Sequence, residues 1–197
     1  MDFSIDGDID DMDELSNRLF PARRDRFDSA GYVMFDEDIT RRPPMPGNRA
    51  LWGGYRVTFK LIARAKYLEL KGDRSAIRRD SQRSGLFEKR VFMLVLSRNE
   101  YCVGKVSFDV DSFSVYAYSE EMLVAEKLRA ICQQMPSYAE RRHPAPRPRD
   151  FFDIHLLVTS RGVDLANSSM HLLVGQVFGI KAVPVALINE IPAYREF

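Results

Sequence analysis

The sequence predicts an α+β fold, with a sheet region over residues 1–118 and a helical region over residues 119–197. Three observations carry that reading. Before Ser119, apolar residues alternate with polar ones in several short runs, the period of a half-buried strand. After Ser119 they recur every three or four residues, the period of a helix packed on one side. In addition, 45% of the 197 residues are hydrophobic, enough to bury a core in a chain of this length. Strands first and helices last is the order of an α+β domain whose final helices cover one end of the sheet.

The elements follow in order. "MDFSI" has strand character with no earlier segment to pair with. In "DIDDMDELSNRLFPARRDRF", Ile9, Met12, Leu15 and Leu19 keep helical spacing. Pro21 is expected to break that helix or open another turn, because it lacks an N–H and crowds the preceding turn. "GYVMFDED" reads as a strand and "RRPPMPGN" as an exposed loop. In "LWGGYRVTFKLIA", Tyr55, Val57, Phe59 and Leu61 alternate as on a strand with one buried face. The Gly-Gly of "WGGY" is too little for a phosphate loop and reads as a bulge or strand start. Residues 64–85 are expected to hold a charged helix and a connection. "RVFMLVLS", "EYCVGKVSF" and "FSVYAYS" are three further strands. "SEEMLVAEKLRAICQQM" opens on a Ser N-cap with acids in its first turn, and "DFFDIHLLVTS" is a second helix ending near Gly162. "LANSSMHLLVGQVF" is the third helix, followed by a short apolar tail.

Charge is balanced in total and uneven along the chain. Lys and Arg number 29 against 28 Asp and Glu. Residues 2–14 are acidic, whereas "RRDRF", "RSAIRRDSQR" and "ERRHPAPRPRD" are basic. Such blocks form solvated faces, and basic ones also attract nucleotides or RNA. Cys102 and Cys132 lack metal-like spacing and read as reduced structural thiols of a cytosolic protein. No apolar run reaches spanning length, so no membrane role is expected.

"RPRDFFDIHLL" raises the first chemical question. Asp150 and Asp153 are three apart and share a helix face with Ile154 and Leu157. Carboxylates on an apolar face need partners, because burying one unpaired costs several kcal/mol. On the preceding helix, with Val124 at the centre of the buried face, Lys127 projects about 60° off it and Glu126 points toward solvent. Lys127, Arg147, Arg149 and a bound cation are the available partners. Two readings stay open on spacing alone. One is a salt-bridge network joining the two helices, with Asp150 also serving as N-cap. The other is an electrostatic site for an anionic substrate and its metal. The N-terminal acids Asp2, Asp6, Asp8, Asp10, Asp11 and Asp13 raise the same issue, since hard divalent cations take carboxylate oxygens. "DGDID" resembles the start of a calcium loop but lacks its later glycine and glutamate. His143, His155 and His171 have no matching ligands and read as core or surface histidines.

Taken together, "YSEEMLVAEKLRAICQQM" followed by "RPRDFFDIHLLV" resembles the C-terminal motifs of the AbiEii/AbiGii toxin family of nucleotidyltransferases. "MDFSIDGDID" and "WGGYRVTFKLI" resemble the continuation of that family's D-x-D strand and the sheet after it. The resemblance runs from Asp2 to about Val158, and its most specific parts are E-K-L-R-A and R-D-x-x-D. It implies a nucleotidyltransferase-like mixed β-sheet flanked by helices. It also implies a toxin of a bacterial toxin–antitoxin or abortive-infection system, acting in the cytoplasm. Such an enzyme transfers a nucleotide from a nucleoside triphosphate to an RNA, such as tRNA, or to a protein acceptor, with Mg2+ and a cognate antitoxin. By the same resemblance Lys127 contacts phosphates with Arg149 beside it. Asp150 is then the late acid, Asp153 its supporting neighbour, and Asp2 the second, metal-binding acid of D-x-D.

Two departures go with it. The family's Gly-Ser segment and the first acid of D-x-D fall upstream of Met1. Val95 stands in a strand where nucleotidyltransferases often offer another carboxylate. The expectation is therefore one of three: a natural start lying upstream, a decayed enzyme that keeps its fold, or an interaction protein in which Lys127, Asp150 and Asp153 form a structural charge network.

Overall fold

A computed structural model describes residues 2–43, 51–85, 89–111, 113–138 and 145–193. Of the loop expected over residues 41–48, Arg41 and Arg42 instead end a strand, Tyr32–Arg42, while residues 44–48 and His143 lie outside the described residues. The chain is α+β and divides into two compact units, Met1–Arg98 and Asn99–Phe197.

The first unit is a mixed four-stranded sheet with a long helix. Strand β1 (Asp2–Ser4) pairs in parallel with β4 (Phe92–Ser97), and β3 (Gly54–Ala63) runs antiparallel between β4 and β2 (Tyr32–Arg42). The N-terminal strand thus does find a partner, supplied by a segment some ninety residues later. Helix α1 (Met12–Ser29) is capped by Asp11, whose carboxylate accepts from the N–H groups of Asp13 and Glu14 at 2.8 and 2.9 Å. It runs unbroken through Pro21, contrary to the expected break. Pro21 and the Asn17 carbonyl it would have satisfied both lie on the exposed side, where water can take the hydrogen bond. The other side of α1 brings Leu19, Phe20 and Phe27 onto the core of Met34, Val57, Phe59, Leu61 and Leu94, with Phe27 and Phe59 rings 5.5 Å apart. The alternation read in the sequence is this face of β3.

The Gly-Gly pair has a steric cause. A Cβ on Gly54 would lie 1.8 Å from the Leu96 carbonyl oxygen, and one on Gly53 would lie 2.1 Å from that of Arg42. Residues 64–85 form two short helices, α2 (Arg64–Glu69) and α3 (Arg74–Arg79), split where Lys71 and Gly72 take positive φ. A register shift in β2 after Phe35 turns Asp36 out at φ 50°. There it accepts from Arg78 at 2.7 and 2.8 Å and from Lys60 at 2.9 Å. The Arg78 hydrogen bonds, with help from Lys60, outweigh desolvation and hold the Asp36 carboxyl at about 2 against an ordinary 3.8. A depressed folded-state pKa stabilises the fold above the unfolded value and loses that contribution as pH falls through the folded one. The Asp36→Asn variant should therefore lose less stability than wild type between about pH 4 and pH 2, measured by urea unfolding across that window.

Asp8 anchors the loop after β1. Its carboxylate accepts from Tyr55 and Arg98 and pairs with Arg41 at 3.0 Å, while Arg98 also donates to the Trp52 carbonyl at 3.0 and 3.2 Å. Burial pushes the Asp8 pKa up, but the hydrogen bonds from Tyr55 and Arg98 win and leave it lowered.

The second unit is a helical bundle with a β-hairpin, β5 (Val106–Val110) and β6 (Phe113–Ala117). Its helices are α4 (Glu120–Cys132), α5 (Pro148–Arg161), α6 (Ser168–Ile180) and a 3-10 helix, Val185–Ala193. Met122, Val124, Ala125, Ile131, Met170, Val177 and Phe178 are its buried centre. Ser119 caps α4 as read, accepting from the Met122 N–H at 3.2 Å, and Gly162 ends α5 in the left-handed conformation. Helix α4 packs on both α5 and α6, which sets the motif-bearing faces of α4 and α5 against each other. No single helix among the described residues is long and apolar enough to cross a membrane.

Candidate functional site

Lys127 emerges from α4 at the rim of the core, its side chain 23% exposed. Its ammonium donates to Asp153 Oδ2 at 2.5 Å and to Asp150 Oδ1 at 3.4 Å. Asp150 is buried at 7% exposure, and its other carboxylate oxygen accepts from Arg147 Nε. Helix α5 begins at Pro148 with Arg147 in the cap position, so Asp150 is the third residue of its first turn and not the N-cap. The positive end of the helix dipole makes that turn a favourable place for a carboxylate. Pro148 suits the first position because it has no N–H to leave unpaired. The helix spacing and the two cations thus answer how these acids can sit on an inward face.

These groups, with Pro146, Pro148 and Arg149, line an open pocket of about 460 Å³. Three cations and two carboxylates converge on it. Arg149 is exposed and forms no salt bridge among the described residues. The hydrogen bond from Lys127 is the main cause of a lowered Asp153 pKa, with Arg149 adding to it. An ammonium fixed by two carboxylates beside an exposed guanidinium can receive an anion bearing several oxygens.

A second charged group lies behind this face and was not read from the sequence. Arg129, 6% exposed, donates to Glu100 Oε2 at 3.2 Å and to Glu126, and Lys181, 3% exposed, reaches Glu100 Oε1 at 3.0 Å. Glu126 therefore turns into this network and not toward solvent, as its wheel position suggested. Desolvation raises the Glu126 pKa and lowers that of Lys181, each against the pull of its ion-pair partner. The signal was present: Ala125, Arg129 and Cys132 follow one buried stripe at helical spacing.

In the first unit Asp2 is exposed on β1, and its partner in register on β4 is Val95. Mg2+ is typically held by one or two carboxylates, with water and substrate phosphates completing its shell. Asp2 fits as one such donor and Val95 supplies none. No group of three or more His, Cys, Asp or Glu suited to a metal ion occurs among the described residues. Asp8 and Asp11 are engaged in the anchor and the helix cap. His155 and His171 are exposed, and Cys102 and Cys132 are buried, the latter with its thiol pushed by desolvation to about 12 and so unreactive.

The family model for the nucleotidyl transferase AbiEii toxin of type IV toxin–antitoxin systems matches residues 1–184 of the chain. Among curated proteins no match is found.

Proposed function

The chain belongs to the AbiEii nucleotidyl transferase toxin family of type IV toxin–antitoxin systems, and from that premise we propose that it transfers a nucleotide from a nucleoside triphosphate to an RNA or protein acceptor. Membership implies a cognate antitoxin and a triphosphate substrate. The acceptor, the Mg2+ requirement and action in the cytoplasm are parts of the proposal. So is the division of the natural protein into a sheet region, residues 1–118, and a motif-bearing region, residues 119–197.

The observation that supports it best is the pocket of the second unit, where Lys127 and Arg149 present cations beside fixed carboxylates. In nucleotidyl transfer an acceptor hydroxyl oxygen attacks the α-phosphorus, the bond to pyrophosphate breaks, and the hydroxyl proton is released. Most of the catalysis is positioning and neutralisation of phosphate charge. Lys127 and Arg149 would bind phosphate oxygens, and Asp150 and Asp153 would orient the ammonium. Asp2 is the residue assigned to Mg2+, which when bound neutralises phosphate charge.

One observation favours a second reading. Lys127 already pairs with both acids, as a purely structural network would require. Transfer of label from each α-32P nucleoside triphosphate to bulk RNA and to protein, by wild type and by Lys127→Ala, tests the proposal. Label transfer that depends on Lys127 supports it, and none from wild type leaves the structural network in its place.

A further inference from the structure

The sheet of the first unit has one face in the core with α1 and a second face turned away from it. Leu94 and Val57, paired in register, lie on the core face, so their chain neighbours Val95 and Arg56 lie on the other. The register carries that row across all four strands: Asp2 on β1, Val95 on β4, Arg56 on β3 and Thr40 on β2. Two residues along, on the same face, Gly54 stands opposite Arg42. Arg56 is half-buried, yet it forms no ion pair among the described residues. Arg42 is exposed and forms none either. The nearby acids are engaged elsewhere: Asp8 with Arg98 and Arg41, Asp36 with Arg78 and Lys60, Glu37 with Arg24. Asp38, on this face beside Thr58, is exposed and pairs with neither arginine. Diagonal neighbours on paired strands stand about 7–8 Å apart, close enough for two arginines to hold one anion. Gly54 interposes no side chain between them.

We infer that Arg56, with Arg42 beside it, binds the polyphosphate tail of the triphosphate on this sheet face, in the row that holds Asp2. A half-buried guanidinium without a carboxylate is costly until an anion arrives, and its planar fork suits phosphate oxygens. Asp2 and Arg56 are two strands apart, about 10 Å, a span that a chain of three phosphates bridges. A lone carboxylate would satisfy one arginine, whereas a polyphosphate carries charge enough for both. The inference rests on the nucleotidyltransferase reading, to which it adds a pair of phosphate-binding residues in the first unit.

The test is isothermal titration calorimetry of the full chain with inorganic tripolyphosphate in the presence of EDTA, beside urea unfolding of each variant. The Arg56→Met variant should bind about tenfold more weakly, the loss of one charge-assisted contact. Arg56→Lys, which keeps the charge and loses the fork, should fall between the two. Arg42→Ala should weaken binding less, because water screens an exposed charge. Without ligand, Arg56→Met should unfold at no lower urea concentration than wild type, since it keeps the packing of the stem and leaves no partner unpaired. That measurement separates lost binding from lost folding. Wild-type affinity in both Arg56→Met and Arg42→Ala would overturn the inference. So would the absence of binding to wild type, a loss confined to Lys127→Ala, or equal affinity for an acidic peptide. Any of these with Lys127-dependent label transfer intact rejects the inference alone. Absence of label transfer with Arg56-dependent binding intact rejects the reading beneath it and leaves the polyphosphate site standing.

Discussion

The Lys127→Ala variant is expected to transfer nucleotide about 10²–10³-fold more slowly than wild type, the usual loss when one preorganised charge donor to the reacting group is removed. Its fold should survive. Asp150 keeps the Arg147 hydrogen bond, and Asp153, with 30% of its side chain exposed, falls back on water. The stability loss is then about 1.5–3 kcal/mol, the scale of one hydrogen bond to a charged group. If Lys127, Asp150 and Asp153 are instead a structural network, wild type transfers nothing and the same substitution costs about 3–5 kcal/mol. Urea unfolding read beside label transfer tells the two apart. Asp150→Asn should resemble Lys127→Ala in activity, because it removes one of the two charges that hold the ammonium.

The largest stability effect is expected at Arg129. Its guanidinium lies between Glu100 and Glu126 in a region from which water is nearly excluded. An Arg129→Met variant keeps much of the stem's packing but leaves Glu126 without that partner and Glu100 with Lys181 alone. Breaking a buried ion pair from one side costs about 3–5 kcal/mol, against near zero to about 1 kcal/mol for an exposed pair. The contrast can be measured directly: Arg18→Met removes an exposed pair with Glu14, at 80% and 66% side-chain exposure, and should hardly move the unfolding midpoint. A shift at Arg129 no greater than that at Arg18 would contradict the account of the network.

The sequence shows some of this and hides the rest for definite reasons. The buried face of β3 and the cap at Ser119 were legible because each depends on local spacing alone. So was the end of α5 at Gly162. The inward placement of Asp150 and Asp153 beside Lys127 was legible as well, since two helical faces fix which residues meet. The parallel pairing of β1 with β4 was hidden, because a three-residue strand carries no record of a partner far along the chain. Continuity of α1 through Pro21 was hidden for a different reason: the cost of a proline depends on whether the freed carbonyl reaches water. Glu126 was misplaced because a wheel assigns a direction to the Cα–Cβ bond, while a long side chain follows its charge partner, here Arg129. The roles given to Asp2, Lys127, Arg149, Asp150 and Asp153 came from motif resemblance and stand as proposals.

The most direct test of the central claim is thermal unfolding with Mg2+ and each of the four nucleoside triphosphates, comparing wild type with Lys127→Ala. A ligand at a hundred times its Kd stabilises the state that binds it by about 2.7 kcal/mol, which for a chain of this size raises Tm by roughly 5–10 °C. The account predicts such a rise for wild type with at least one triphosphate, and little or none for Lys127→Ala. No rise for wild type with any triphosphate, or an equal rise in both proteins, would contradict it.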